Sequence, residues 1–275
     1  MTVSEIESFL SSLGIESALS EAYIIASKLT GKSYAMLRAD RNLDISGDEL
    51  DRILEKRKER YPLQYLIGEW EFCGLPFKIT KDTLIPRPDT EIIAEKAASL
   101  LKPGGSILDL CTGSGCILAA ALRLSSNRKG TAVELFPATA KVAAENFSAL
   151  GLDVETIVGD ATTDLFGEEV TFDVITANPP YVTADEMNDL EPELSFEPHA
   201  ALTDDGDGLS VIRKIIEVYK NHLASDGAMI IEHGYRQSDS VIEIANVHNL
   251  SAEVLTDYGG NKRGVVLTRR QCINP

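Results

Sequence analysis

The segment Phe172-Asp173-Val174-Ile175-Thr176-Ala177-Asn178-Pro179-Pro180-Tyr181 sets the terms for everything around it. Its first half is a compact apolar run, β-branched in the middle, as a strand buried on both faces requires. Its second half ends that strand. Two consecutive prolines donate nothing to a sheet ladder, and Pro179 pushes Asn178 out of the helical region. Asn178 is therefore expected at the carboxyl end of a parallel strand, where open α/β sheets bind their ligands.

The four residues that close the segment suggest a chemistry. The Asn178 side-chain oxygen and the Pro179 carbonyl are acceptors, and neither proline has an N–H. Two adjacent acceptors can hold both hydrogens of a planar NH₂ group, with the Tyr181 ring stacked on its plane and Pro180 stiffening the turn. The lone pair of such a nitrogen is delocalised and weakly nucleophilic. Gripping its hydrogens aims that lone pair at an electrophile.

Outward from this strand, the chain alternates strand and helix. Apolar runs at Ser106–Leu110, Thr131–Leu135, Val154–Val158, Ala228–Glu232, Ala252–Leu255 and Gly264–Arg269 predict six further strands. Helical patterns at Ser114–Leu124, Pro137–Leu150, Leu209–Leu223 and Gln237–Val247 lie between them. The pattern is that of an α/β domain at 89–275, with a mainly parallel seven-stranded sheet covered on both faces, a Rossmann-like arrangement. Residues 1–62 read as a small helical bundle, with Ser46-Gly47-Asp48-Glu49 as a capping-box match opening a solvated helix through Arg60. Residues 63–88 form a linker, in which Glu69–Phe72 and Leu75–Ile79 predict a hairpin around Cys73-Gly74.

Composition narrows the function. No apolar run among the 275 residues approaches the ~20 of a membrane span. The start Met1-Thr2-Val3-Ser4-Glu5 has neither a basic region nor a long apolar segment, so no signal peptide is expected. Cys73, Cys111, Cys116 and Cys272 show no CxxC pair and no metal-ligand spacing, which predicts reduced cytoplasmic thiols and no metal. The formal net charge of -17 disfavours direct nucleic-acid binding and suits a basic protein partner.

Asp109-Leu110-Cys111-Thr112-Gly113-Ser114-Gly115 is a strand-to-helix turn whose glycines admit a ligand against the backbone. Glu134, at the tip of the next strand, sits where a carboxylate binds ribose hydroxyls. A dinucleotide fingerprint would place a third glycine at 118, and Leu118 stands there. Asp109, Glu134 and Asp160 would repel a pyrophosphate and suit a cofactor with an ammonium and a sulfonium. S-adenosylmethionine fits that description. Joined to the Asn178 turn, it gives methyl transfer to a conjugated nitrogen, with alignment as the main task of the protein.

With these residues in view, the chain resembles the protein-(glutamine-N5) methyltransferases of peptide chain release factors, the HemK/PrmC family. The likeness rests on Pro62–Gly68, Ile85–Glu91, Asp109–Gly115, Asn178–Tyr181, Glu197–Leu202 with Asp207–Leu209, and Glu232–Tyr235, in that order along the chain. It implies a class I methyltransferase fold, and release factors as partners docked with help from the N-terminal helices. It also implies that the glutamine of a Gly-Gly-Gln loop is held by Asn178 and the Pro179 carbonyl. It places the S-adenosylmethionine site at Cys111, Thr112, Gly113, Ser114, Gly115, Glu134, Asp160, Ala161 and Asn178. Cys111 stands where the family's turn usually has glycine. A monomer acting in the cytoplasm is expected, and His233 is read as structural. Two other acceptors suit the same turn: the exocyclic amine of adenine in nucleic acid, and a glutamine of a ribosomal protein.

Overall fold

The structure, a computed structural model, describes residues 1–40 and 42–270. It divides into two compact units, Met1–Glu69 with Glu191–Phe196, and Trp70–Leu190 with Glu197 onward. Cys272 lies outside the described residues.

The first unit is helical: α1 (Val3–Ser12), α2 (Ala18–Thr30), α3 (Tyr34–Ala39), α4 (Asp48–Lys58) and α5 (Leu63–Ile67). The Thr2 hydroxyl accepts from the Glu5 N–H while the Glu5 carboxylate accepts from the Thr2 N–H, a complete capping box. Ile6, Leu10, Ile25, Ala26 and Ile53 are fully buried at the centre of the bundle.

The expected box at Ser46 does not form. Gly47 is the N-cap of α4, without a side-chain cap bond. The helix also stops at Lys58, two residues short of Arg60, which adopts φ 62°. Nor is α4 wholly solvated, because Leu50, Ile53, Leu54 and Arg57 are buried. The Arg57 guanidinium donates to both oxygens of Glu21, at 2.9 and 3.1 Å, to Glu193 at 3.1 Å, and to the Tyr61 carbonyl at 2.7 Å. Burial, opposed by the Arg57 charge, lifts the Glu21 carboxyl above its ordinary range. Glu193 and Phe196, edge-on to Tyr61 at 5.2 Å, are what bring the short segment 191–196 into this unit.

Next along the chain is a hairpin of β1 (Glu69–Phe72) and β2 (Leu75–Lys78), the second unit beginning at Trp70. Cys73 and Gly74 both take positive φ, the two-residue turn that matches strand twist. Then follow α6 (Glu91–Leu100), β3 (Ile107–Leu110), α7 (Cys116–Leu124), β4 (Lys129–Glu134), α8 (Pro137–Ala149), β5 (Asp153–Val158) and β6 (Phe172–Ala177). The chain continues through α9 (His199–Leu202), α10 (Ser210–Tyr219), β7 (Leu223–Glu232), α11 (Ser238–Val247), β8 (Leu250–Thr256) and β9 (Lys262–Arg269). Strands β3 to β9 make one seven-stranded sheet in the order β5-β4-β3-β6-β7-β9-β8. Its pairings are parallel except those of β9 with β7 and β8. The expected architecture is therefore present.

Strand parity divides the core. Ile107, Ala132, Val174 and Ile230 pack with α6, α7 and α8. Leu108, Val133, Ile175 and Met229 pack with α10 and α11. Consecutive residues of β6 thus serve opposite layers, which is why that strand reads as a continuous apolar run. The order reverses between β3 and β6, so the crevice beyond their carboxyl ends is the switch point of the sheet.

Candidate active site

A cavity of about 340 Å³ opens at that switch point. Its wall includes Cys111, Thr112, Gly113 and Ser114 after β3, Glu134 at the end of β4, Asp160 and Ala161 after β5, and Asn178 and Pro180 after β6. The fold brings these nine anticipated residues together. Asp109, Gly115, Pro179 and Tyr181 are not among the residues that line it.

Asp109 departs from its expected place as a cofactor contact. It is 1% exposed and pairs across the sheet with Thr176. The Thr176 hydroxyl donates to one carboxylate oxygen at 2.6 Å and the Thr112 hydroxyl to the other at 2.5 Å. Asp109 shares the parity of Ile107, so it points beneath the turn and holds Thr112 in place. Burial raises its carboxyl to about 6, against the pull of the two hydroxyls.

Gly115 also has a reason other than ligand approach. A Cβ there would lie 2.6 Å from the Phe147 ring, so the glycine lets α7 start against α8. Gly113 is different, with φ 58° and nothing within 4 Å of where a side chain would begin. Cys111 takes φ 57°, a left-handed conformation in which glycine is unstrained and a β-carbon is not. Burial pushes its thiol far above the ordinary range and lifts Cys73 and Cys116 to about 12, so none of the three is a nucleophile at neutral pH.

The cavity fits the cofactor expected for it. The Ser114 hydroxyl oxygen is buried and has no hydrogen-bond partner among the described residues. Glu134 accepts from the Gly113 N–H at 3.0 Å and the Phe136 N–H at 3.1 Å, and each carboxylate oxygen keeps a further lone pair. Burial lifts the Glu134 carboxyl above its ordinary range. Asp82, Glu134, Asp160 and Asp204 line the wall against a single guanidinium, that of Arg87. This charge set favours a cation. Leu135 and Phe136, 52% and 44% exposed, add an apolar wall that the sequence reading passed over. An apolar pair between a strand-end carboxylate and Pro137 was the available signal.

The other unforeseen residue is Glu197. Its side chain is 1% exposed and bonds the Arg87 guanidinium with one oxygen and the Ile85 N–H, at 3.0 Å, with the other. Ile85, Pro86 and Arg87 line the cavity, as do Pro198, Ala200 and Ala201. Glu197 thus ties two distant parts of the wall together. Glu197→Ala leaves a buried N–H and a guanidinium unpaired. It is expected to weaken S-adenosylmethionine binding about tenfold in calorimetric titration.

Asn178 is half-buried, faces this cavity, and its amide has no hydrogen-bond partner among the described residues. Pro179 behind it is buried. The Tyr181 hydroxyl donates to Glu232 at 3.2 Å, and Tyr181 is not among the residues that line the cavity. His233 is fully buried, with Nδ1 donating to the Gly234 carbonyl at 2.8 Å and the Ser238 hydroxyl 3.2 Å from Nε2.

Residues 2–68 match the PrmC N-terminal domain, and residues 89–225 match the methyltransferase small domain. A release factor glutamine methyltransferase of Fusobacterium nucleatum is 33% identical, over 94% of this chain and 75% of its own. The chain belongs to the release factor glutamine methyltransferase family. The Salmonella typhimurium relative of the same description is 34% identical, over 88% of this chain and 89% of its own. Among solved structures, the hMettl16 catalytic domain in complex with MAT2A 3'UTR hairpin 6 superposes with TM-score 0.60. That match covers 88% of this chain and 95% of that one at 14% identity, so it speaks for the fold alone. Membership in the family makes this protein a methyltransferase, and its methyltransferase domain implies an S-adenosylmethionine-type cofactor. Among the described residues, no helix is long and apolar enough to cross a membrane.

Proposed function

We propose that the protein transfers the methyl group of S-adenosylmethionine to the side-chain amide nitrogen of the glutamine in the Gly-Gly-Gln loop of peptide chain release factors, in the cytoplasm. The observation that carries this reading is the unpartnered Asn178 amide at the carboxyl end of β6, in the same cavity wall as the Cys111–Ser114 turn. The descriptions of the family relatives support the choice of acceptor.

When bound, the cofactor supplies a methyl group made electrophilic by its sulfonium. The residues of the chain do the rest. Gly113 and Ser114 would offer their main chain to the cofactor, Glu134 would take its ribose hydroxyls, and Asp160 with Ala161 would hold its adenosine part. The Asn178 side-chain oxygen and the Pro179 carbonyl accept the two hydrogens of the glutamine NH₂ and turn its lone pair toward the methyl carbon. As the new N–C bond formed, the methyl–sulfur bond would break and its electron pair return to sulfur, leaving a neutral thioether, while the nitrogen would become a strongly acidic cation and lose one proton to water. An uncharged amide orients and does not abstract, so no general base is assigned.

The test is to incubate the protein with labelled S-adenosylmethionine and either a purified release factor or adenine-containing DNA. Mass spectrometry of the acceptor is expected to place one methyl on the Gly-Gly-Gln glutamine. Label on adenine, or on another side chain, would overturn the reading.

A further inference from the structure

One buried carboxylate has no part in the mechanism above. Glu232 is the last residue of β7 and is 2% exposed. It shares the parity of Ile230, so it faces the α6 layer, where Thr90 precedes the helix. One oxygen accepts from the Tyr181 hydroxyl, and the other has no hydrogen-bond partner among the described residues. The Thr90 hydroxyl is likewise buried without a partner among the described residues, and Thr90 lines the cavity. Tyr181 is fastened at its other end as well, its carbonyl accepting from Gln237 Nε2 at 2.9 Å.

We propose that Glu232 is a positioning residue for methyl transfer, a buried carboxylate set between Thr90 of the cavity wall and the phenol of Tyr181, which keeps the Asn178–Tyr181 turn aimed into the cavity. This rests on the methyl-transfer reading, so its test includes a measurement independent of activity. Burial raises the Glu232 carboxyl to about 7, opposed by Thr90, Tyr181 and the Arg263 charge and assisted by Asp89. Below that pH the carboxylate is neutralised and its hold on the phenol weakens.

Full-length protein carrying a fluorotyrosine at position 181 is expected to show a fluorine resonance that shifts with pH around a midpoint near 7. In Glu232→Gln, which keeps the shape of the side chain, that shift is lost. The same substitution should lower kcat about tenfold, with the affinity for S-adenosylmethionine unchanged and the alkaline rise of the rate through pH 7 abolished. Adding it to Tyr181→Phe should cost nothing further, because both changes remove one link. A resonance that ignores pH, or that titrates as before in Glu232→Gln, overturns the proposal whatever the enzyme does. A wild-type protein that shows the shift but leaves release-factor glutamine unmodified overturns the substrate reading and leaves the Glu232–Tyr181 link standing.

Discussion

Replacing Asn178 with alanine is expected to slow methylation of a release factor by about 10²-fold or more, the scale set by losing a preorganised hydrogen bond at a reacting centre. Most of that loss should fall on kcat. The side chain is aimed by the end of β6 and by two prolines, and no neighbouring group among the described residues bonds it. Its acceptor oxygen is thus free for an NH₂ group before anything arrives. Cofactor affinity should change by no more than a few-fold, because the Cys111–Ser114 turn, Glu134, Leu135, Phe136, Asp160 and Ala161 also line that wall and remain in place. Single-turnover kinetics at saturating cofactor, beside calorimetric titration of the same variant, separates the two. A variant with undiminished turnover would remove Asn178 from the mechanism, and one with cofactor binding lost would make it a cofactor ligand instead.

What could be read from sequence follows from how local the determinants are. The strand 172–177 and its stop at Asn178 are written in consecutive residues: β-branched side chains facing two layers, then two prolines. The other six strands are also written in runs of consecutive residues, and the parity that fills both core layers is a property of neighbours in sequence. The misreadings concern side chains whose partners are far along the chain. Asp109 looked like a cofactor ligand because it ends a strand before a glycine turn. Its direction is set by the register that puts Thr176 opposite it. Gly115 looked like a place for a ligand, and its reason is the Phe147 ring of another helix. Arg57 looked like one charge among many on α4. Only the return of the chain at Glu193 shows that it is buried. The pairing of Glu197 with Ile85 and Arg87 joins two motifs that were noticed separately. No spacing rule links residues that far apart in sequence.

Gly208→Ala is expected to disable the enzyme, by at least about 10²-fold in turnover, through a contact that no ligand makes. Gly208 takes φ 68°, where a β-carbon is already strained. A β-carbon there would lie 2.1 Å from the Tyr181 carbonyl oxygen and 2.7 Å from its carbon. Both partners are backbone, so no side chain can swing aside. Gly208 itself cannot retreat easily, since the Asp204 carboxylate gathers the N–H groups of Gly206, Gly208 and Ser210. The Tyr181 carbonyl must therefore move, losing Gln237, and it draws the phenol from Glu232 and the Asn178–Pro180 turn from its setting. A displacement of that kind near a reacting atom outweighs the strain energy that produces it. Gly206→Ala is the control: its nearest neighbour is a side-chain oxygen at 3.4 Å and its φ is ordinary, so it should keep near-normal turnover. Thermal unfolding of both variants, with and without S-adenosylmethionine, shows whether the damage is confined to the turn. If Gly208→Ala methylates a release factor at the wild-type rate, the position of Tyr181 does not govern the aim of Asn178, and the proposed grip on the glutamine amide fails with it.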